Sequence, residues 1–213
     1  MGSTATKVDL SPLPITMRPT SRLVQLLGGL VLFGTSMALM VRAGLGLSPW
    51  DVLHEGLATH LGWSFGSVTV LTGGLVLLAW LPLRQRPGIG TVANVVVIAI
   101  SVDTALALLP PPDPLAARIA LLITGIALNA LATAVYVGAR LGPGPRDGLM
   151  TGLHERTGAS IRLVRTGIEI SVLAAGWSLG GTVGIGTVLF AVAIGPLTQL
   201  ALPAVAVRGP RRR

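Results

Sequence analysis

Residues 23–41 of the chain read LVQLLGGLVLFGTSMALMV and contain no charged side chain, although Arg22 and Arg42 stand at the two ends of the run. A helix of about 20 apolar residues is long enough to cross the hydrocarbon core of a bilayer. The fold class predicted is therefore an all-α, polytopic membrane protein. Similar apolar runs recur, and we predict six transmembrane helices at Leu23–Val41, Ser64–Leu83, Gly88–Leu109, Ile119–Ala139, Ile161–Gly181 and Gly184–Val207.

The composition excludes the soluble classes. Only 11% of the 213 residues are charged, 51% are hydrophobic and the mean hydropathy is +0.76, whereas soluble domains carry about 25% charged residues. The sequence has no cysteine, which excludes disulfides and thiolate metal sites. It also has no Walker or Rossmann motif, no clustered histidines and no convincing nucleophile–base set. We therefore expect no metal, no cofactor and no enzymatic activity.

The basic residues indicate how the chain is oriented in the membrane. The net charge is +8, from 16 Lys+Arg against 8 Asp+Glu. If the N-terminus is cytoplasmic and each span crosses once, 14 of the 16 basic residues lie on the cytoplasmic side and only Arg42 and Arg118 lie outside. The positive-inside rule favours this orientation, with both termini cytoplasmic. The excess charge then predicts contact with anionic lipid at the cytoplasmic face, and not with nucleic acid.

The sequence contains an internal repeat. When the chain is aligned with itself at an offset of 96 residues, 25 of the 66 residues at positions 41–106 are identical, including GIGTV at 88–92 and at 184–188. Because each copy holds three spans, the second copy is inverted relative to the first. We predict a disordered cytoplasmic tail, a first membrane repeat, a Pro-rich connector, a second membrane repeat and a basic cytoplasmic tail, at 1–21, 22–109, 110–117, 118–207 and 208–213.

A glycine-rich loop follows the first span of each repeat and leads into a short helix, predicted at Pro49–Leu61 and Pro145–Thr157. Each helix is about half a membrane long. One interpretation is an interfacial helix with an apolar stripe, which is slightly favoured for the first loop. The other is a re-entrant half-helix with an anion at its N-terminus. The second interpretation makes these the candidate substrate-binding residues: Gly44, Gly46, Ser48, Asp51, Gly142, Gly144, Arg146 and Asp147.

Several ionisable residues of the spans and short helices have alternative roles. Asp51 and Asp147 are more often helix caps than ligands at such positions. Within the spans, Asp103 and Glu169 are candidates for ion coupling, because acids in a bilayer are costly. The alternatives are an interhelical hydrogen bond for Asp103 and an ion pair with Arg165, four residues earlier, for Glu169. The pairs His54–Glu55 and His154–Glu155 are predicted to be solvated.

Three runs of the sequence resemble a known family. They are GLGLSPWDVLHEGL at Gly44–Leu57, GPGPRDGLMTGL at Gly142–Leu153 and VGIGTVLFAVAIGPL near the C-terminus. They resemble the YczE/YitT-like family of bacterial integral membrane proteins. The resemblance implies a location in the bacterial plasma membrane, and it assigns neither an activity nor catalytic residues.

The function expected is that of a small transporter or permease with its site between the inverted repeats. Glycine-rich backbone before a helix N-terminus predicts a small anion as the substrate. The alternative is a non-transporting accessory or regulatory membrane protein that docks to partners through its Arg-rich cytoplasmic loops and tail. The sequence determines neither the substrate nor the oligomeric state.

Overall fold

The computed structural model describes residues 13–14 and 16–207. Within these residues the chain forms α-helices and no strand. The predicted tail at 208–213 and most of the one at 1–21 lie outside the described residues. The helices are α1 (Pro19–Ala43), α2 (Pro49–Leu61), α3 (Phe65–Leu83), α4 (Ile89–Leu108), α5 (Leu115–Gly138), α6 (Pro145–Thr157), α7 (Ile161–Ser178) and α8 (Ile185–Val205).

Five of the eight helices are long and apolar enough to cross a membrane, namely α1, α3, α4, α5 and α8. They correspond to five of the six predicted spans. The sixth, α7, is a regular helix of 18 residues, but it carries Arg162, Arg165 and Glu169 and does not qualify by composition. The crossing of the membrane by α7 therefore stays a prediction.

Two central helices, α1 and α5, pack against each other along much of their length. A methyl group on Gly29 would lie 2.7 Å from the Tyr136 backbone nitrogen, and one on Gly125 would lie 2.8 Å from Met40 Cγ. Glycine permits this close approach of helix backbones. Residue numbers rise along α1 while they fall along α5, so the two helices are antiparallel.

The last helix of each half runs parallel to the first. Gly34 of α1 packs against Ile98 and Val102 of α4, and the Arg42 side chain further along α1 donates to the Leu106 carbonyl. In the second half, Thr198 of α8 donates to the Ala130 carbonyl of α5 at 3.5 Å. The bundle is thus built from two similar halves, α1–α4 and α5–α8, whose first helices meet back to back.

Contacts between the halves recur at positions 96 residues apart. Arg22 Nε donates to the Ala139 carbonyl at 2.9 Å, and Arg118 Nε donates to the Ala43 carbonyl at 2.7 Å. Each arginine thereby binds carbonyl groups at the C-terminus of the opposite central helix, where cations are favoured. The same guanidinium contact is therefore made twice, once in each direction.

The packing of the short helices is also reciprocal, with large and small residues exchanged. A methyl group on Gly148 of α6 would lie 2.0 Å from the Trp80 ring of α3. At the equivalent positions in the other half, a methyl group on Gly176 of α7 would lie 2.5 Å from the backbone carbonyl carbon of Val52 in α2. Trp80 Nε1 also donates to the Pro145 carbonyl at 3.0 Å and ties α6 to α3. Each short helix therefore packs on a helix of the opposite half.

The first half of α2 is buried in the bundle. Trp50 is 7% exposed, Asp51 is 3% exposed and His54 is 1% exposed, whereas Leu61 at the C-terminal end is 44% exposed. An interfacial helix needs its polar face in water. The burial of Asp51 and His54 therefore contradicts the interfacial interpretation of this helix.

Candidate functional site

A cavity of about 310 Å³ lies at the centre of the bundle, and residues from all eight helices line it. Ligand pockets for small molecules are about 300–1,000 Å³, so this cavity suits a metabolite at the small end of that range. Its wall combines apolar and aromatic side chains with a few polar ones. The first turns of α2 and α6 both reach it.

The N-terminus of α2 is closed by its own residues. Ser48 Oγ accepts the Asp51 backbone N–H at 3.3 Å and donates to Asp51 Oδ2 at 2.6 Å. Pro49 follows at the first helical position, where its missing N–H is no loss. Ser48 and Pro49 line the cavity and Asp51 does not. Asp51 is therefore a capping residue in this structure.

The N-terminus of α6 has the same construction with one difference. Its N-cap is Gly144, which has no side chain to accept a hydrogen bond. The Asp147 carboxylate instead accepts the Gly144 backbone N–H. Asp147 remains exposed within the cavity wall, unlike the buried Asp51. Each predicted anion-binding N-terminus is thus already capped by an aspartate.

Arg146 is the cation that joins the two helix ends. Its guanidinium carbon lies 4.7 Å from the centre of the Trp50 ring, across the point where α2 and α6 meet. A cation over the face of a tryptophan is attracted by the electrons of the ring. Among the residues described, the Arg146 guanidinium has no hydrogen bond and no ion pair. It therefore remains available to an anionic group in the cavity.

His54 differs from its prediction as a solvated residue. Its Nε2 lies 2.8 Å from Thr72 Oγ1 and its Nδ1 lies 3.4 Å from Asp51 Oδ1. It lines the cavity from the α2 side. The prediction failed because the partners lie on α3 and on the preceding turn, and single-helix amphipathicity does not report such contacts. His154 is only part-buried, with its Nδ1 2.6 Å from the Ala159 carbonyl.

The two acids proposed for ion coupling occupy different environments. Glu169 lines the cavity, where Arg165 Nε donates to its Oε1 at 2.9 Å. The pair predicted from the four-residue spacing is therefore formed. Asp103 does not line the cavity. It accepts Ser64 Oγ at 2.6 Å and the Gly66 backbone N–H at 2.7 Å, and so binds the start of α3 to α4.

Three of the four candidate loop glycines shape the backbone and do not line the cavity. Gly44, Gly46 and Gly142 have φ angles of 58°, 114° and 129°, values that other residues rarely adopt. Gly46 and Gly142 lie against the capping threonines of α8 and α4, respectively. Of the eight candidate substrate-binding residues, the cavity is lined by Ser48, Gly144, Arg146 and Asp147.

Sequence reasoning missed several polar residues of the cavity wall. Asn94 of α4 and Tyr136 of α5 line it, and neither side chain has a hydrogen-bond partner in the described part of the chain. Tyr136 is the only tyrosine of the sequence, and its ring stands edge-on to Phe33 at 5.9 Å. The unused signal in the sequence was a lone tyrosine within an otherwise apolar span.

The two halves differ in how their last two helices pack. In the first half, α3 packs against α4; in the second half, α7 and α8 make almost no contact within the described residues. Arg165 and Glu169 of α7 and Gln199 of α8 line the cavity on this side. One side of the cavity is therefore formed by two helices that pack together, α3 and α4, and the other by two helices that do not, α7 and α8.

Comparison with known proteins places the chain in a family. The model of a family described as "Family of unknown function (DUF6198)" matches residues 20–203. An uncharacterized protein of Haemophilus influenzae is 42% identical over 181 residues, which are 85% of this chain and 83% of that relative. The uncharacterized membrane protein YczE of Bacillus subtilis is 37% identical over 172 residues, covering 80% of each chain. No solved structure matches the chain.

These matches confirm the resemblance seen in the loop motifs. The similarity to YczE extends over 172 residues, which is 80% of this chain. Together with five helices of membrane-spanning length and composition, it makes this chain an integral membrane protein. The family match extends from the start of α1 to the end of α8, and the chain belongs to the DUF6198 family.

Proposed function

We propose that the protein is a small plasma-membrane transporter that binds a solute with an anionic group in the central cavity, between two inverted halves. The observation that carries the proposal is the meeting of the first turns of α2 and α6 at one cavity lined by all eight helices. In secondary transporters, solutes bind between inverted repeats, where short helices end near the midplane. Arg146 is the group that holds the anion.

The reciprocal contacts between the halves support the inverted repeat. A contact between positions i and j recurs between i+96 and j−96, as at Arg22–Ala139 and Arg118–Ala43. A two-fold axis between the halves produces this pattern. Because α1 and α5 are antiparallel, the axis is perpendicular to both helices and lies in the membrane plane. On this topology α7 is the fifth of six spans, and both termini are cytoplasmic.

The difference between the halves gives the transporter its two gates. The pair α3–α4 is closed by the hydrogen bonds from Ser64 and Gly66 to Asp103. The equivalent pair α7–α8 is open, and the residue equivalent to Asp103 is Gln199. If the two helix pairs exchange their arrangements, α7–α8 closes and α3–α4 opens. The same cavity is then exposed to the opposite side of the membrane. The structure then represents the state that is open to the cytoplasm.

Access to the cavity from both sides tests this proposal without knowledge of the solute. The chain has no cysteine, so Thr133→Cys adds a single thiol to the cavity wall. A membrane-impermeant thiol reagent is expected to modify it quickly in inside-out vesicles and more slowly in right-side-out vesicles. Adding Asp103→Asn removes an acceptor of the closed gate, and we expect it to raise the right-side-out rate about 5-fold or more, since one hydrogen bond contributes about 1 kcal/mol.

Asp113→Asn is the matched control, because Asp113 is an exposed acid in the connector between the halves. It is expected to leave both labelling rates unchanged. If Thr133→Cys reacts from one side only, with or without Asp103→Asn, the cavity does not alternate. The alternative of an accessory or regulatory membrane protein would then be preferred.

A further inference from the structure

We infer that the solute is a small zwitterion of the amino-acid type, with a carboxylate, an ammonium group and an apolar body. This inference rests on the proposed function and specifies its substrate class. It follows from the cavity wall, which presents one cation and one exposed carboxylate that form no ion pair with each other.

The cationic pole of the site is Arg146. The guanidinium stacks on Trp50 and has no anionic partner within 4.0 Å among the described residues. A guanidinium binds a carboxylate through two parallel hydrogen bonds. A buried charge without a partner is costly, and a ligand carboxylate at this position removes that cost.

The anionic pole of the site surrounds Gly144. A methyl group on Gly144 would lie 3.2 Å from Asp147 Oδ2, 3.6 Å from Tyr136 Oη and 3.7 Å from Asn94 Nδ2. Three polar side chains from α6, α5 and α4 therefore converge on one point. The Asp147 carboxylate and the Tyr136 hydroxyl are both acceptors for an ammonium group, which has three donors.

Neither pole forms an ion pair with a described residue of the protein. Arg146 and Asp147 are consecutive on α6, and consecutive side chains of a helix do not face each other. Arg146 is held against Trp50, while Asp147 turns back to the Gly144 N–H. By contrast, Arg165 and Glu169 of the same cavity form their own ion pair. The unmatched groups are therefore Arg146 and Asp147.

Both poles are needed to explain the choice of solute. A plain carboxylate satisfies Arg146 but adds a negative charge beside the Asp147 carboxylate. An amine satisfies Asp147 but adds a positive charge beside Arg146. A zwitterion satisfies both groups. The rest of the wall is largely apolar, with Phe33, Ile98 and Phe190, and it suits an apolar side chain on a molecule that a 310 Å³ cavity can enclose.

The test compares three matched sets of compounds on the purified full chain. The first set is the twenty standard amino acids; the others are the corresponding carboxylic acids without the amino group and the corresponding amines without the carboxylate. Leucine, 4-methylpentanoate and 3-methylbutylamine form one such triplet. Thermal stabilisation ranks the compounds, because a ligand of the folded state raises its melting temperature, and calorimetric titration gives Kd.

We expect at least one amino acid to bind at least 10-fold more tightly than both of its truncated relatives. If the carboxylic acid binds as well as the amino acid, the solute is a simple anion; the zwitterion is then excluded, while transport of an anion stands. If no compound of the three sets binds, the zwitterion is also excluded. In each case, the labelling of Thr133→Cys from the two sides of the membrane tests separately whether the protein is a transporter.

The variant Asp147→Asn provides a second test, in which the preference between an amino acid and the matching carboxylic acid is measured. It is expected to weaken amino-acid binding at least 10-fold and to strengthen binding of the matching carboxylic acid, so that the preference is reversed. Asp113→Asn is the control, because it makes the same change at an exposed acid of the connector that does not line the cavity. It is expected to leave the preference unchanged. If the Asp147→Asn protein keeps the wild-type preference, the inference is wrong. If Asp147→Asn does not fold, Tyr136→Phe tests the same anionic pole.

Discussion

Arg146→Gln is expected to weaken binding of the tightest amino acid about 100-fold, because removing one partner of a buried charge pair costs about 2–5 kcal/mol. The wild-type guanidinium stacks on Trp50 and forms no ion pair with a described residue. Glutamine keeps the hydrogen-bonding capacity but loses the charge. Calorimetric titration of the purified variant measures the change in Kd.

Two further variants show whether the loss of affinity in Arg146→Gln is specific to the Arg146 guanidinium. Arg146→Lys keeps the charge without the planar fork or the stacking, so it is expected to recover only part of the affinity. Arg156→Gln removes an exposed arginine from the same helix, outside the cavity, and is expected to change Kd less than 3-fold. Binding by Arg146→Gln within 3-fold of the wild type would remove Arg146 from the site.

Gly148→Val is expected to be the most destabilising single substitution at the interface of the halves. The added carbon atoms clash with the Trp80 ring, because a methyl group placed on Gly148 would lie only 2.0 Å from that ring. Overpacking costs about 1–3 kcal/mol and occasionally more, and we expect the upper end because a ring locked by its bond to Pro145 cannot move aside. Thermal unfolding in detergent measures the loss.

The double variant Gly148→Val with Trp80→Gly gives these positions the residues of the other half, where the Val52 backbone lies against Gly176. It is expected to be more stable than the sum of the single changes predicts, by about 1–3 kcal/mol of coupling energy. Gly74→Val is the control, since nothing lies within 4 Å of its added methyl group. Additive effects of the two single changes would mean that the reciprocal packing is coincidental.

The predictions from sequence succeeded where the cause is local. Uncharged runs between arginines identify helices such as α1, because the apolar length that a bilayer needs is a property of a single segment. Serine before proline identifies the start of α2 for the same reason, and the structure begins this helix at Pro49. The ion pair of Arg165 and Glu169 follows from helical spacing alone.

The predictions failed, or stayed open, where the cause is a contact between distant segments. The polar face of α2 is buried because His54 meets Thr72 of α3, a contact that the sequence of α2 does not contain. The stacking of Arg146 on Trp50 joins residues from opposite halves. Asp103 and Gln199 occupy equivalent positions of the repeat, but only Gln199 lines the cavity, because the helices that carry them pack differently.

The most direct test of the central claim, that the cavity carries a zwitterionic solute across the membrane, is counterflow in proteoliposomes. Vesicles containing the wild-type chain are loaded with unlabelled amino acids and diluted into a ¹⁴C-labelled amino-acid mixture. The wild type is expected to accumulate label transiently above its external concentration, and Arg146→Gln is expected to resemble empty vesicles. Label that never exceeds the level of empty vesicles in the wild type would contradict the claim.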